Sequence, residues 1–271
     1  MNIRISIDSP TLYWRLNGEI LKVEPWGTDG ARVRATHLRD FPEIPGALLE
    51  TLPAQDAEAA LSDGKGILTN GKLRVEIWPD GTLHFFHAKT GAKLLEEPEP
   101  IFNRPPARWY RPLGSDLSKL EVYFRAQKGE RFFGLGQHQH GLLDNKGSVI
   151  DLEQRNTEVS IPFYVSSLGY GFLWNNPGVG RVELGTNMTR WVMDATRGSI
   201  ITLWWVRPPL KSWKSTSMLP DMPRCCRSSP WVSGSANCAT APRKSCWRWC
   251  VNTSGVGCHW RWLSQITSTG T

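Results

Sequence analysis

The sequence predicts a mainly β protein: a large antiparallel β-sandwich over residues 1–200, followed by a tail, 201–271, without a stable native fold. Three observations carry this expectation. Apolar residues in the first 200 positions recur at a period of two, and a helical period is nearly absent. Clusters of Gly, Pro, Asn and Asp cut these runs into short pieces, the spacing expected of sandwich strands. The composition then changes abruptly near residue 200.

The first strands are expected where Ile3, Ile5 and Ile7 alternate, then at Ile20 and Val23 in GEILKVEPW, then at Val33 in ARVRAT. Arg39 to Asp63, with Pro42, Pro45 and Pro53, is expected to be a loose connection, and Ala54 to Leu61 is the best short helix candidate. In LRVEIWPDGTLHFFHA, Leu73, Val75 and Ile77 alternate with charged residues before Asp80-Gly81, and Leu83 and Phe85 resume the pattern. Asp-Gly tolerates the positive φ values of a type I′ turn, so a hairpin is predicted here, with a second turn at Ala88 to Gly91. Five prolines between Pro98 and Pro112 mark an irregular stretch. Further strands are expected at Val122 to Phe124, Arg131 to Leu135, Val149 to Leu152, Ile161 to Val165, Gly171 to Trp174, Val182 to Leu184 and Trp191 to Met193. The alternation puts Leu73, Val75, Ile77, Phe163, Val165, Phe172 and Trp174 in the core.

The chain carries 32 Lys and Arg against 25 Asp and Glu, a net charge of +7. Nine of the basic residues lie in 201–271 with only Asp221 opposing them, so the basic character belongs to the tail. All six Cys and eight of the fourteen Trp are there too. The cysteine spacings include no C-x2-C, which argues against a zinc site. Trp247-Arg248-Trp249 and Trp260-Arg261-Trp262 have the residue types of a nucleic-acid platform, but no nucleic-acid partner is expected, because the tail has a better explanation given below. No stretch approaches the roughly 20 apolar residues of a membrane span. The opening MNIRISIDSPTLYW has no apolar h-region, so a cytoplasmic location is expected.

Several short motifs admit a chemical and a structural reading. Gly134-Leu135-Gly136 lacks the third glycine and the helix of a phosphate loop, and reads as a strand turning sharply where backbones approach closely. His138 and His140 could share a strand face and a metal, yet nothing selects a third ligand from Asp144, Asp151 or Glu153. Those acids are also rejected as a glycosidic carboxylate pair, because a sandwich loop is a poor place for the required separation. Glu153-Gln154-Arg155-Asn156 is a polar run between two apolar strands.

Taken together, RFFGLGQHQHGLLDN and IDLEQRNTEVSIPFYVSSLGYGFLWNN closely resemble the N-terminal domain of glycoside hydrolase family 31, which includes α-glucosidases and α-xylosidases. The resemblance covers about residues 15–200, and its His-Gln-His form is similar to the bacterial α-xylosidase-like branch. It implies a galactose-mutarotase-like sandwich that precedes a (β/α)8 barrel holding the two catalytic aspartates. A barrel needs roughly 250 residues, and 71 follow residue 200. No catalytic residue is therefore expected here. The resemblance further implies an α-linked glucoside or xyloside substrate, no cofactor and no metal. It also implies a loop at the substrate-pocket rim, for which His138, Gln154, Arg155 and Asn156 are the candidates. The alternative is a carbohydrate-binding or interaction module without hydrolytic activity.

The tail fits a shift of reading frame near Ser199 to Ile201. Its excess of Trp, Cys, Arg, Ser and Pro is what G/C-rich codons give out of frame. A one-nucleotide shift permits DYFVVGPTPAEILEKYVDVTG for the first part, which is similar to the family's linker and first barrel segment.

Overall fold

The computed structural model describes residues 4–43, 52–54, 56–101 and 106–206. The described residues contain strands and no helix, and none of their elements is a helix long and apolar enough to cross a membrane. The strands are β1 (Ile5–Asp8), β2 (Thr11–Leu16), β3 (Glu19–Pro25), β4 (Gly30–Thr36), β5 (Ala57–Ser62) and β6 (Lys65–Asn70). Next come β7 (Leu73–Ile77), β8 (Leu83–His87), β9 (Lys93–Glu96), β10 (Arg108–Gly114), β11 (Leu117–Arg125) and β12 (Phe132–Gln137). The last six are β13 (Val149–Leu152), β14 (Val159–Ser166), β15 (Tyr170–Trp174), β16 (Gly180–Leu184), β17 (Met188–Thr196) and β18 (Ser199–Trp205).

They form an eight-stranded sheet in the order β1-β2-β3-β4-β18-β15-β14-β12 and two five-stranded sheets, β10-β11-β17-β16-β13 and β5-β6-β7-β8-β9. The inner face of the long sheet supplies Leu12, Trp14, Leu21, Val23, Val33, Tyr164, Phe172 and Trp174 to the core, all at most 3% exposed. The two smaller sheets answer from the other side. Trp14 of β2 lies against Gly81 in the turn after β7, and its indole N–H donates to Pro79 O at 3.2 Å. Trp191 of β17 stacks on Phe172 and Trp174 of β15, with centroids 5.0 and 5.4 Å apart. Such offset rings bury large apolar area and add geometric preference to it. The sheets meet at one buried ionic junction. Arg108 of β10 donates to Glu19 of β3 (Nε to Oε1, 2.6 Å), to the Glu97 carboxylate just after β9, and to Gly81 O at 2.9 Å. Burial pushes the Glu97 carboxyl up, and the Arg108 charge opposes that shift.

The hairpin over Leu73–His87 forms as expected, with Ile77 opposite Leu83. Its turn is not type I′. Gly81 N–H donates to Trp78 O and Trp78 N–H to Thr82 O, and only Gly81 (φ 88°) is left-handed. This is a three-residue loop closed by a glycine bulge, with Pro79 supplying its fixed φ and Asp80 accepting from Thr82 N at 3.0 Å.

Other expectations need correction. The helix candidate Ala54 to Leu61 is instead mostly strand β5, paired from Ala57↔Asn70 to Ser62↔Lys65. Asp63 (φ 51°) and Gly64 (φ 75°) make the two-residue turn that folds β5 onto β6, and that pairing overrides the local helix preference of Ala and Glu. β10 runs through Pro112 in the stretch expected to be irregular; as an edge strand it needs no donor there. Phe163 and Val165 are half-buried on the opposite face from that expected, while Ser160, Tyr164 and Ser166 point inward. Finally, the folded unit does not stop at residue 200. β18 lies inside the long sheet, pairing with β15 on one side and β4 on the other through Trp205 and Trp204, with Ile201 and Leu203 buried. The boundary therefore moves beyond Trp205. The rest of the tail, with its expected lack of a stable fold and its out-of-frame reading, lies outside the described residues.

Candidate functional site

The Gly134-Leu135-Gly136 turn shapes the region around His138. Ladder pairing between β12 and β14 jumps from Gly134↔Tyr164 to Gly136↔Ser160, so Leu135 alone faces Ile161, Pro162 and Phe163. All three residues of the turn are left-handed, with φ of 120°, 69° and 98°. A Cβ at Gly136 would sit 1.9 Å from Val159 O, so the bulge requires glycine there. Leu135 tolerates its conformation because its side chain is fully buried. The phosphate-loop alternative has no support in this geometry; the glycines permit close strand contact.

Behind the bulge, Asn145 braces the strand: its N–H donates to Phe132 O at 2.9 Å and its side-chain Nδ2 to Gly134 O at 3.1 Å. Asp144 Oδ1 accepts from Phe132 N at 3.1 Å and Lys146 N at 3.0 Å. Beneath lies Glu130, whose Oε1 accepts from the Ser166 and Tyr170 hydroxyls at 2.6 and 2.7 Å. Burial pushes its carboxyl up, against the pull of those two hydrogen bonds.

The strand thus leaves the bulge on a fixed path and delivers His138. Its Nε2 lies 2.8 Å from Leu135 O, which can only accept, so Nε2 carries the proton. Nδ1 then faces Glu158 Oε2 at 3.9 Å. His140 stacks on His138 with centroids 5.6 Å apart, and its Nδ1 accepts from Leu142 N at 3.0 Å. Gln139 donates to the Thr157 hydroxyl, which joins this loop to the 153–158 loop. Thr157 is itself left-handed, φ 72°. Of the described residues, no group of three His, Cys, Asp or Glu is placed to hold a metal.

The other expected site residues divide. Gln154 is committed to structure: its Nε2 donates to Ser160 O at 2.7 Å and its Oε1 accepts from Ser160 N at 3.1 Å, in the manner of a strand neighbour. Arg155 lies on the β13–β16 surface. There it pairs with Asp151 (3.0 Å) and Glu153 and borders a depression of about 110 Å³ shared with Arg181 and Asp194. Those two carboxylates hold its guanidinium further above its usual range. Asp151 and Glu153 both pair with Arg155, and Asp144 accepts from the Phe132 and Lys146 backbone amides, so each of the three is engaged by its own neighbours and they do not face one another as a catalytic pair. Asn156 is exposed. The structure brings His138 together with Gln139, His140, Thr157 and Glu158, a set broader than the sequence singled out. The apolar side chains Leu142, Leu143, Val149, Val159 and Ile161 lie exposed on the same loops and strands. This arrangement offers hydrogen-bond donors and acceptors on a rigid base.

Comparison with known proteins gives these geometries a context. Residues 50–183 match the model of the glycosyl hydrolase 31 N-terminal galactose mutarotase-like domain. An uncharacterized family 31 glucosidase of Pseudescherichia vulneris is 35% identical over 204 residues, covering 68% of this chain and 38% of that protein. Alpha-xylosidase A of Aspergillus niger is 29% identical over 197 residues, covering 66% and 27%. Among solved structures, a family 31 α-xylosidase from a soil metagenome, complexed with xylose, superposes with a TM-score of 0.70 at 31% identity, covering 74% of this chain and 32% of that one. The chain therefore spans between 27% and 38% of the length of these relatives.

Proposed function

Because the chain belongs to glycoside hydrolase family 31 through its N-terminal galactose mutarotase-like domain, we propose that it is the non-catalytic portion of a retaining α-glycosidase acting on α-xylosides or α-glucosides. Its role in this reading is to place the His138 loop at the rim of the substrate pocket. The observation that carries the reading is the Gly134–Gly136 bulge. Left-handed backbone at a non-glycine residue costs free energy and persists where the surroundings enforce it, and here it sets the path of the chain that carries His138, Gln139 and His140. The exposed apolar side chains on the same loops support a face covered by further protein in the intact enzyme. The names of the α-xylosidase relatives support the substrate class.

Retaining hydrolysis uses two carboxyl groups roughly 5 Å apart, one as nucleophile and one as acid and base. In this reading both lie outside the chain, and His138, His140 and Asn156 contribute hydrogen bonds to sugar hydroxyls. In an enzyme carrying this domain on its barrel, His138→Ala should raise KM for an aryl α-xyloside about tenfold while kcat changes less than threefold, the loss of one hydrogen bond to bound sugar. An unchanged KM would remove His138 from the pocket. The pairing of Ser199 to Trp205 within the long sheet conflicts with a shift at the expected Ser199 to Ile201, so the out-of-frame reading is proposed only for residues after Val206, on the strength of the tail's composition. The nucleotide sequence through that region tests it: an uninterrupted frame in independent clones would refute it.

A further inference from the structure

Among the arginines of the described residues, ion pairing fails in one place. Eleven described arginines each have a carboxylate within 4.0 Å: Arg32 and Arg34 on Glu24, Arg74 on Glu76, Arg108 on Glu19, Arg111 on Glu121, Arg125 on Glu99; and likewise Arg131 on Asp144, Arg155 on Asp151, Arg181 and Arg190 on Glu183, and Arg197 on Asp116. Only Arg4, Arg15 and Arg39 have no such partner among the described residues, and all three line the same groove. The groove is formed by the residue preceding β1, the β2–β3 turn and the segment leaving β4, and its volume is about 740 Å³. Asn17 (φ 51°) and Gly18 (φ 82°) form that two-residue turn, and Arg15 precedes it on β2. Glu19, the acid lining the groove, is already engaged by Arg108 at 2.6 Å and by the Tyr110 hydroxyl at 3.4 Å. His37 lines the groove beside them, its ring tilted against Tyr110 with centroids 4.2 Å apart. Leu16, Ile20 and Leu38 supply apolar lining.

We propose that this groove binds a phosphorylated small organic molecule, of which a sugar phosphate is the representative. Guanidinium groups match phosphate oxygens with paired, planar donors. Three of them left without protein carboxylates retain their charge for a ligand. The volume lies within the 300–1,000 Å³ range of small-molecule sites and exceeds what an inorganic anion would fill. The apolar lining gives the organic part something to cover. Nothing in this inference depends on the His138 loop or on the proposed glycosidase role.

Hydrogen exchange of the 1–271 chain, read by mass spectrometry peptide by peptide, tests it at constant ionic strength. Glucose 6-phosphate should slow exchange several-fold in peptides covering residues 12–20 and 36–40, with glucose at the same concentration having no effect. Arg15→Gln and Arg39→Gln should each weaken that protection at least tenfold in ligand concentration, while Arg181→Gln, on an arginine paired with Glu183 in β16, should not. Where a glutamine variant loses protection throughout the chain, Arg15→Lys and Arg39→Lys replace it; they keep the charge, lose the planar fork, and should still weaken binding. No protection by glucose 6-phosphate, equal protection by glucose, or protection unchanged in the folded arginine variants would overturn the proposal. Equal protection by inorganic phosphate would mean an adventitious ion only.

Discussion

Replacing Gly136 by alanine tests the bulge that aims the His138 loop. The backbone at Gly136 has φ 98°, and an added Cβ would lie 1.9 Å from Val159 O and 2.9 Å from Ile161 N. Both are main-chain atoms of the paired strand, so no rotamer change relieves the contact. The left-handed conformation costs an L-residue roughly 1–2 kcal/mol. Moving β12 away from β14 also disturbs the pairs Gly136↔Ser160 and Gln137↔Val159, at about 1 kcal/mol for each hydrogen bond lost. The expected cost is therefore about 3–4 kcal/mol, a large part of the roughly 5–15 kcal/mol that holds a domain together. Gly141 provides the comparison: its φ is 65°, but a Cβ there would meet nothing within 4 Å. Gly141→Ala should cost only about 1 kcal/mol. Urea denaturation monitored by tryptophan fluorescence measures both, and hydrogen exchange over residues 132–140 shows whether the loss is local. A cost below about 1 kcal/mol for Gly136→Ala would mean that the bulge is not held as described.

Three further outcomes follow from the packing. Arg108→Met should destabilise by about 3–5 kcal/mol, because Glu97 is left fully buried beside no cation; a denaturation midpoint equal to wild type would contradict the three-sheet junction. Burial opposes ionisation of Glu24, but Lys22, Arg32 and Arg34 outweigh it and hold the carboxyl below its ordinary value. Its folded pKa is lower than its unfolded one, so its contribution is present above about pH 4.5 and lost as pH falls through the folded value; Glu24→Gln should flatten the acid limb of stability against pH. Truncation after residue 200 should abolish cooperative unfolding, whereas truncation after Val206 should preserve it, since β18 holds β4 and β15 together.

The fold class was legible because apolar and charged residue types alternate along strands such as Leu73–Ile77, where Leu73, Val75 and Ile77 are buried. Failures arose where pairing depended on distant partners. The residues of β5 favour a helix taken alone, and only the Asp63-Gly64 turn reveals the hairpin. In β14 the bulge shifts the register, and the inward Tyr164 packs in the aromatic stack with Phe172 at 5.2 Å, near the hydroxyl network of Glu130. No local pattern announces that Phe163 faces the other way, over Gly171. The Arg108–Glu19 pair joins residues 89 apart in sequence, beyond any periodicity. At the candidate site, the histidines and the glycine bulge were visible as motifs. The occupation of Gln154 by Ser160 was not, because glutamine in a polar run looks the same whether it faces a ligand or the backbone.

In the function proposed above, this chain supplies a rim and a scaffold while the chemistry of α-glycoside cleavage lies elsewhere. Turnover of p-nitrophenyl α-xyloside by purified 1–271, followed at 400 nm beside an enzyme that carries the barrel, tests it most directly. The expected result is no release above the uncatalysed rate from 1–271 and rapid release from the barrel-carrying enzyme. Sustained turnover by 1–271 that copurifies with the chain and disappears with Asp144→Asn, Asp151→Asn or Glu153→Gln would contradict it.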